Sequence, residues 1–190
     1  MRERTLHLLL LAGASVTLLA GCSGTATRLG YADQTTLYTP DMIGYAAPKG
    51  ELATVVRGNP FGGSIGDPEA IAAAIKPPAR YGQVRLTTRP GPGTPDNYRL
   101  VLIFDPPVGA PTGDLACNDA AASQGGTGGG PVRVQASFCI GGRLASQITG
   151  TGAPASDVNS PAFQDLMGQV MENMFPPVKR DIGESNPLPH

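Results

Sequence analysis

The chain has 190 residues, a formal net charge of −1 and 15% charged residues, a balance that offers nucleic acid no clustered cationic footprint. Gly 26 and Pro 19 are high for a globular chain and announce long loops. Trp is absent, and two histidines, His7 and His190, are all that acid–base or zinc chemistry could draw on.

Arg2 and Arg4 outweigh Glu3, and Leu8–Leu11, Val16, Leu18 and Leu19 form an apolar run interrupted by Gly13, Ser15 and Thr17. A bilayer span needs ~20 apolar residues, so this shorter run reads as a secretory signal. It closes on Leu19-Ala20-Gly21-Cys22, which resembles the lipobox of bacterial lipoproteins. The resemblance implies cleavage before Cys22 and a diacylglycerol on its sulfur, with three acyl chains (palmitate among them). Each buried methylene contributes roughly 0.8 kcal/mol, so such an anchor is permanent. Ser23, where an aspartate would imply inner-membrane retention, implies the inner leaflet of the outer membrane, facing the periplasm.

On this reading residues 1–21 are a signal peptide, 22–50 the lipidated cysteine and tether, 51–177 a single α+β domain and 178–190 a disordered tail. His7 leaves with the signal, and His190 follows Pro187 and Pro189 at the end of the tail. The domain then has no core histidine for a Ser-His-Asp, Cys-His or histidine–zinc site.

Ser23–Gly30 is small and polar, as a linker is. Residues 31–50, with Tyr31, Tyr38, Tyr45, Pro40 and Pro48, show no period; they are expected to lie extended against the domain or partly disordered. Leu52–Arg57 is β-rich. Asp67-Pro68-Glu69 is a helix start, with a capping carboxylate, a first-turn proline and a first-turn acid. Ile71, Ala74 and Ile75 give its buried stripe, and Pro77-Pro78 stops it.

Val84–Thr88 is a short strand, and the prolines and glycines of Arg89–Asn97 make a loop. Tyr98–Phe104 is the strongest strand. Leu100, Leu102 and Phe104 point one way, Val101 and Ile103 the other, so both faces are covered and the strand is central. Val108–Pro131 is a long connection carrying Cys117 and the run Gly125–Gly130, expected to be mobile.

Val132–Ile140 alternates, with Val132, Val134, Ala136, Phe138 and Ile140 toward the core and Cys139 away. Residues 143–149 return as a strand. A three-residue Gly141-Gly142-Arg143 loop with a bulge keeps apolar residues together, placing Ile140 opposite Leu144 and Ala136 opposite Ile148. Ser160-Pro161 opens a second helix whose Phe163, Leu166, Met167, Val170, Met171, Met174 and Phe175 form one amphipathic stripe. Its methionines read as adaptable core filling.

With Cys22 acylated in an oxidising compartment, Cys117 and Cys139 remain to pair, which would restrict the unfolded chain by ~3 kcal/mol. The alternative, a reactive or metal-binding pair, has no C-x-x-C spacing to support it. Arg57–Gly66 lacks the spacings of phosphate-binding loops, and Asp67 would repel an anion at the helix start. Asp105 and Asp114 flank one end of the central strand, with Asp105 a turn initiator before Pro106. Arg80, Arg85, Arg89 and Arg99 are expected around adjacent strands 84–88 and 98–104, as a solvated surface or a patch for an anionic partner.

Val-Arg-Gly-Asn-Pro-Phe at 56–61, Thr-Thr-Arg-Pro-Gly at 87–91 and Val-Arg-Val-Gln-Ala-Ser-Phe-Cys at 132–139, with the lipobox, resemble an uncharacterised family of proteobacterial envelope lipoproteins. The layout also resembles small α+β lipoproteins that assist outer-membrane assembly or lipid transport, a likeness of architecture alone.

The expected fold is α+β, a mostly antiparallel sheet of four to five strands with two helices packed on one face. The expected function is a non-enzymatic, lipid-anchored envelope module that binds or positions an envelope protein or lipid partner. No catalytic, cofactor or metal residue is assigned. The alternative is a periplasmic small-ligand binding or sensing domain, using a cleft between the 58–66 loop and the glycine-rich loop.

Overall fold

The computed structural model describes residues 27–62, 66–118 and 125–179. Their elements are β1 (Arg28–Leu29), β2 (Asp33–Gln34), α1 (Met42–Ala46), β3 (Glu51–Arg57), α2 (Pro68–Ala74), a 3₁₀ turn (Ala79–Tyr81), β4 (Arg85–Thr87), β5 (Tyr98–Phe104), α3 (Asp114–Asn118), β6 (Val132–Ile140), β7 (Arg143–Gly152) and α4 (Pro161–Met174). The strands make one seven-stranded sheet in the order β1-β7-β6-β5-β3-β4, with β2 also on β7.

The sheet is mixed, which corrects the expected mostly antiparallel sheet of four to five strands. β3 runs parallel to both β4 and β5, while β5, β6, β7 and the N-terminal strands pair antiparallel. The parallel pairing follows from the chain order: β3 and β4 are joined through α2, and a helical crossover returns the chain in the same direction. β3 separates β4 from β5, so strands 84–88 and 98–104 are not neighbours.

Alternation along β5 decides the two layers. Leu100, Leu102 and Phe104 join the main core beneath α1, α2 and α4, with Leu52, Val56, Ile71, Phe163 and Met171. Val101 and Ile103 join a smaller cluster on the other face with Cys117, Cys139 and Leu144. α2 and α4 thus share a face as expected, while α1 joins them and α3 covers the back.

Part of the stretch assigned to the tether lies within the sheet. β1 and β2 pair with β7, and Tyr38, Met42 and Ile43 are buried. Strands of two residues and a five-residue helix carry too little period to be read from sequence.

β6 and β7 form a hairpin on a two-residue turn. Gly141 and Gly142 both have positive φ, 55° and 81°, the backbone of the tight mirror-image turn that matches strand twist. This sets Ile140 opposite Arg143 and Cys139 opposite Leu144, in place of the expected Ile140–Leu144 pair. The register shift lies one step further on, between Phe138 and Cys139, and leaves Ala145 as the extra residue. Beyond it Ala136 faces Ile148 as expected. The bulge turns Leu144 to the back cluster and returns Ile148 to the main core.

α4 ends against Pro176-Pro177, which have no amide hydrogens to offer its last carbonyls. Side chains from elsewhere supply the donors. Ser146 Oγ donates to the Met174 carbonyl (2.8 Å), Tyr38 Oη to that of Pro176 (2.6 Å), and the Arg80 guanidinium to that of Phe175.

Candidate functional site

The disulfide is formed. Cys117 and Cys139 are bonded with Cα atoms 5.6 Å apart, both wholly buried. It staples α3 to β6 on the back of the sheet, the face on which alternation placed Cys139. Around it Arg99 donates to the Cys117 carbonyl at the end of α3, and Asp114 accepts from the Leu144 amide (2.7 Å). Gln135 Nε2 donates to the Pro111 carbonyl (2.6 Å). Asp114 is therefore occupied in holding α3 to β7.

The second place of interest is the carboxyl end of parallel β3 and β5. The chain leaving β3 runs to α2 on the main-core face, and the chain leaving β5 runs to α3 on the back. Such a divergence opens a crevice that in open parallel sheets receives ligands. Here the chain's own glycine run enters it. The Asn59 amide donates to the Gly126 carbonyl (2.9 Å), and the Gly126 amide to those of Phe104 (3.2 Å) and Asp105 (3.1 Å). A β-carbon on Gly58, whose φ is +77°, would lie 2.8 Å from the Gly125 Cα, so this approach needs glycine on both sides. The expected cleft between these loops is thus closed, in the described residues, by backbone contact. Gly125 and Gly126 are half-buried at this contact, while residues 127–130 are exposed.

Asp105 sits at this junction with φ 49°, the positive-φ non-glycine among the described residues. Its amide donates to the Arg133 carbonyl (2.8 Å), and its carboxylate pairs with the Arg133 guanidinium. It faces a cation, not a second carboxylate.

The arginines of the expected cluster are dispersed. Arg80 caps α4, pairs with Glu172 (2.6 Å) and lies 5.0 Å over the Tyr81 ring. Arg85 pairs with Glu51 (2.6 Å) and Glu69 (3.5 Å) at the sheet edge, and Arg99 serves α3 on the back. Burial pushes the Glu69 carboxyl up, but the Thr88 amide and hydroxyl, the Thr87 hydroxyl and the Arg85 charge outweigh it and hold the group below its usual range. The Gly91 amide, then Arg85, lower Glu51 likewise.

Among the described residues no three His, Cys, Asp or Glu side chains gather to hold a metal. No helix there is long and apolar enough to cross a membrane. Cys22, the signal segment, both histidines and the tail beyond residue 179 lie outside the described residues. Comparison of the chain with protein-family models, with curated proteins and with solved structures returned no match.

Sequence reasoning missed Lys49, exposed just before β3, whose amine donates to the Pro92 carbonyl (3.4 Å). The two lie forty-three positions apart on separate connections, and no spacing signals that they meet.

Proposed function

We propose that this chain is a lipid-anchored envelope lipoprotein facing the periplasm, held to the outer membrane through acylated Cys22. On this proposal it acts without catalysis, binding or positioning an envelope partner. The observation that carries the reading is Leu19-Ala20-Gly21-Cys22 behind a short apolar run and a basic start. Three further features support it. The buried Cys117–Cys139 bond suits an oxidising compartment. The first strand begins at Arg28, six positions after Cys22, so the anchor joins the sheet through a short segment. The crevice at the carboxyl ends of β3 and β5 is filled by the chain itself.

Intact mass measurement of the membrane-extracted protein tests this, together with fractionation of Cys22→Ser. The expected mass is that of the chain from Cys22 plus a diacylglycerol and an amide-linked acyl chain, and Cys22→Ser is expected in the soluble fraction. An unacylated mass, or a Cys22→Ser variant that matures and partitions like the parent, would sink the proposal.

A further inference from the structure

We infer that the back of the sheet, at the end where the tether enters, rests on the bilayer that holds the anchor, and that Arg28 and Arg133 meet the phosphates of anionic phospholipids there. The inference rests on the proposed acylation of Cys22, because that attachment brings this end to the lipid. Five peptide links join Cys22 to Thr27 and, at 3.3–3.6 Å per residue, reach no further than about 18 Å. Thr27 is itself held, its hydroxyl donating to Asp165 of α4 (2.7 Å). Arg28 follows it directly, as the first residue of the sheet.

Strand register gathers basic side chains at this corner. Arg28 stands opposite Thr151, and Thr151 opposite Arg133. Residues directly opposite in antiparallel strands share a face. Leu29, Val132 and Val134 pack with the main core, so the row of Arg28, Thr151 and Arg133 stands on the back. Two strand spacings, roughly 10 Å, separate the two arginines. Arg57, paired with Ile103 of the back cluster, adds a half-buried cation one row further in. Against these cations the carboxylate of the corner is Asp105, which pairs with Arg133. Asp33, on the same face, stands opposite Gln147, four positions back along β7. Asp157 and Asp165 belong to α4 and the connection into it, on the main-core side. Arg28 is exposed and forms no ion pair with a described residue.

An apolar projection adjoins the row. The Asp105 amide holds to the Arg133 carbonyl (2.8 Å), and Gln135 Nε2 holds the Pro111 carbonyl (2.6 Å). Between these two fixed points the Ala110 amide donates to the Pro107 carbonyl (3.0 Å), closing a turn that leaves Val108 wholly exposed. Residues 106–111 and 125–131, which border this end, carry no charged side chain. Such turns enter a headgroup layer without desolvating an ion, while the arginines beside them gain from the negative surface of an anionic leaflet. A short tether, an exposed valine and a cationic row behind it therefore converge on one occupant, the bilayer.

The chain has no Trp, so one introduced indole reports its own surroundings. The full acylated chain carrying Val108→Trp is purified from membranes and reconstituted in vesicles of phosphatidylglycerol and phosphatidylcholine with brominated acyl chains. Val178→Trp is the control, since the fourteen residues of α4 carry it about 21 Å from this end. The expected result is quenching of the indole at position 108 and not at 178. Quenching falls about fivefold or more in Arg28→Glu, which leaves the Asp105–Arg133 pair intact, and likewise in vesicles of phosphatidylcholine alone. Millimolar inorganic phosphate at constant ionic strength leaves it unchanged. Both substituted side chains are exposed, and matching circular dichroism melts confirm the fold of each variant. The inference is overturned by equal quenching at the two positions, by none at 108, or by quenching indifferent to Arg28→Glu or to the anionic lipid. Loss of quenching to inorganic phosphate also overturns it, by making a free anion the ligand. The mass of Cys22 in the same sample separates the two failures. An unacylated Cys22 removes the anchor reading, whereas an acylated Cys22 without quenching at 108 removes the bilayer contact alone.

Discussion

Asp105 holds a left-handed backbone immediately before a proline, a position where both Cβ sterics and the Pro106 ring work against it. Aspartate and asparagine tolerate that region better than β-branched residues. Its exposed ion pair with Arg133 contributes at most about 1 kcal/mol. Asp105→Asn should therefore cost less than about 1 kcal/mol in urea unfolding, and Asp105→Val about 2 kcal/mol or more; equal losses would mean that the ion pair, not the backbone, governs the site. The sequence marked Asp105 as a turn initiator but not its handedness, because Gly126, whose amide donates to its carbonyl, is twenty-one residues away. Asp67 was fully legible: Asp67-Pro68-Glu69 announces a cap, and Asp67 accepts from the Glu69 amide (3.1 Å). Glu69 itself was legible only as a first-turn acid, since its partners come from β4. A carboxyl whose folded pKa is depressed stabilises the fold above its ordinary value, near 4.5, and loses that contribution as pH falls through the lower folded value. Wild type should thus lose more stability than Glu69→Gln between about pH 5 and pH 3, read from urea midpoints. Parallel acid limbs for the two proteins would contradict the role given to Glu69.

At the scale of elements, long periodic segments were legible and short ones were not. The seven-residue apolar stripe of α4 is wholly buried, and β5 and β6 run over the residues that their alternation marked. α1, α3, β1 and β2 span two to five residues each, below the length at which a period can register. The approach of α4 to the sheet also hides in plain residues. A β-carbon on Gly150 of β7 would lie 2.9 Å from Val170 Cγ2 and 3.0 Å from Leu166 Cδ1. Gly150→Val should cost about 1–3 kcal/mol by overpacking. Val170→Ala in the same chain should recover part of it, giving a coupling that a double-mutant cycle detects; strictly additive losses would show that the helix does not seat on Gly150. The disulfide ties a second element in place. Cys117→Ala/Cys139→Ala should lower stability by about 3 kcal/mol and the melting temperature by roughly 6–12 °C. An unchanged melting temperature would mean that Arg99, Asp114 and Gln135 hold α3 unaided.

For the whole molecule, the sheet's direction was the largest misreading, and its cause is instructive. The strand–helix–strand order of residues 51–87 already implies parallel β3 and β4, while the conspicuous β6–β7 hairpin suggested antiparallel pairing throughout. The hairpin is the local signal; the parallel half depends on contacts between β3 and β5, whose facing residues are about forty-six positions apart. The same non-local logic governs the amino-terminal border. A reading that starts the domain at residue 51 leaves residues 22–50 as a tether, with 31–50 lying extended against the domain or partly disordered. Yet Tyr38 and Ile43 are wholly buried, Met42 nearly so, and Tyr38 Oη serves the end of α4. Burying each such side chain contributes roughly 1.5–3 kcal/mol, and three together rival the roughly 5–15 kcal/mol that holds a domain folded. Removing β1 and β2 would also bare the edge of β7 to pairing between copies. A chain beginning at Thr27 should therefore unfold cooperatively as a monomer, whereas one beginning at Glu51 should be unfolded or aggregated. Circular dichroism with size-exclusion chromatography separates the two outcomes. A monomeric, cooperatively melting chain from Glu51 would show that residues 27–50 rest on the domain without being part of it.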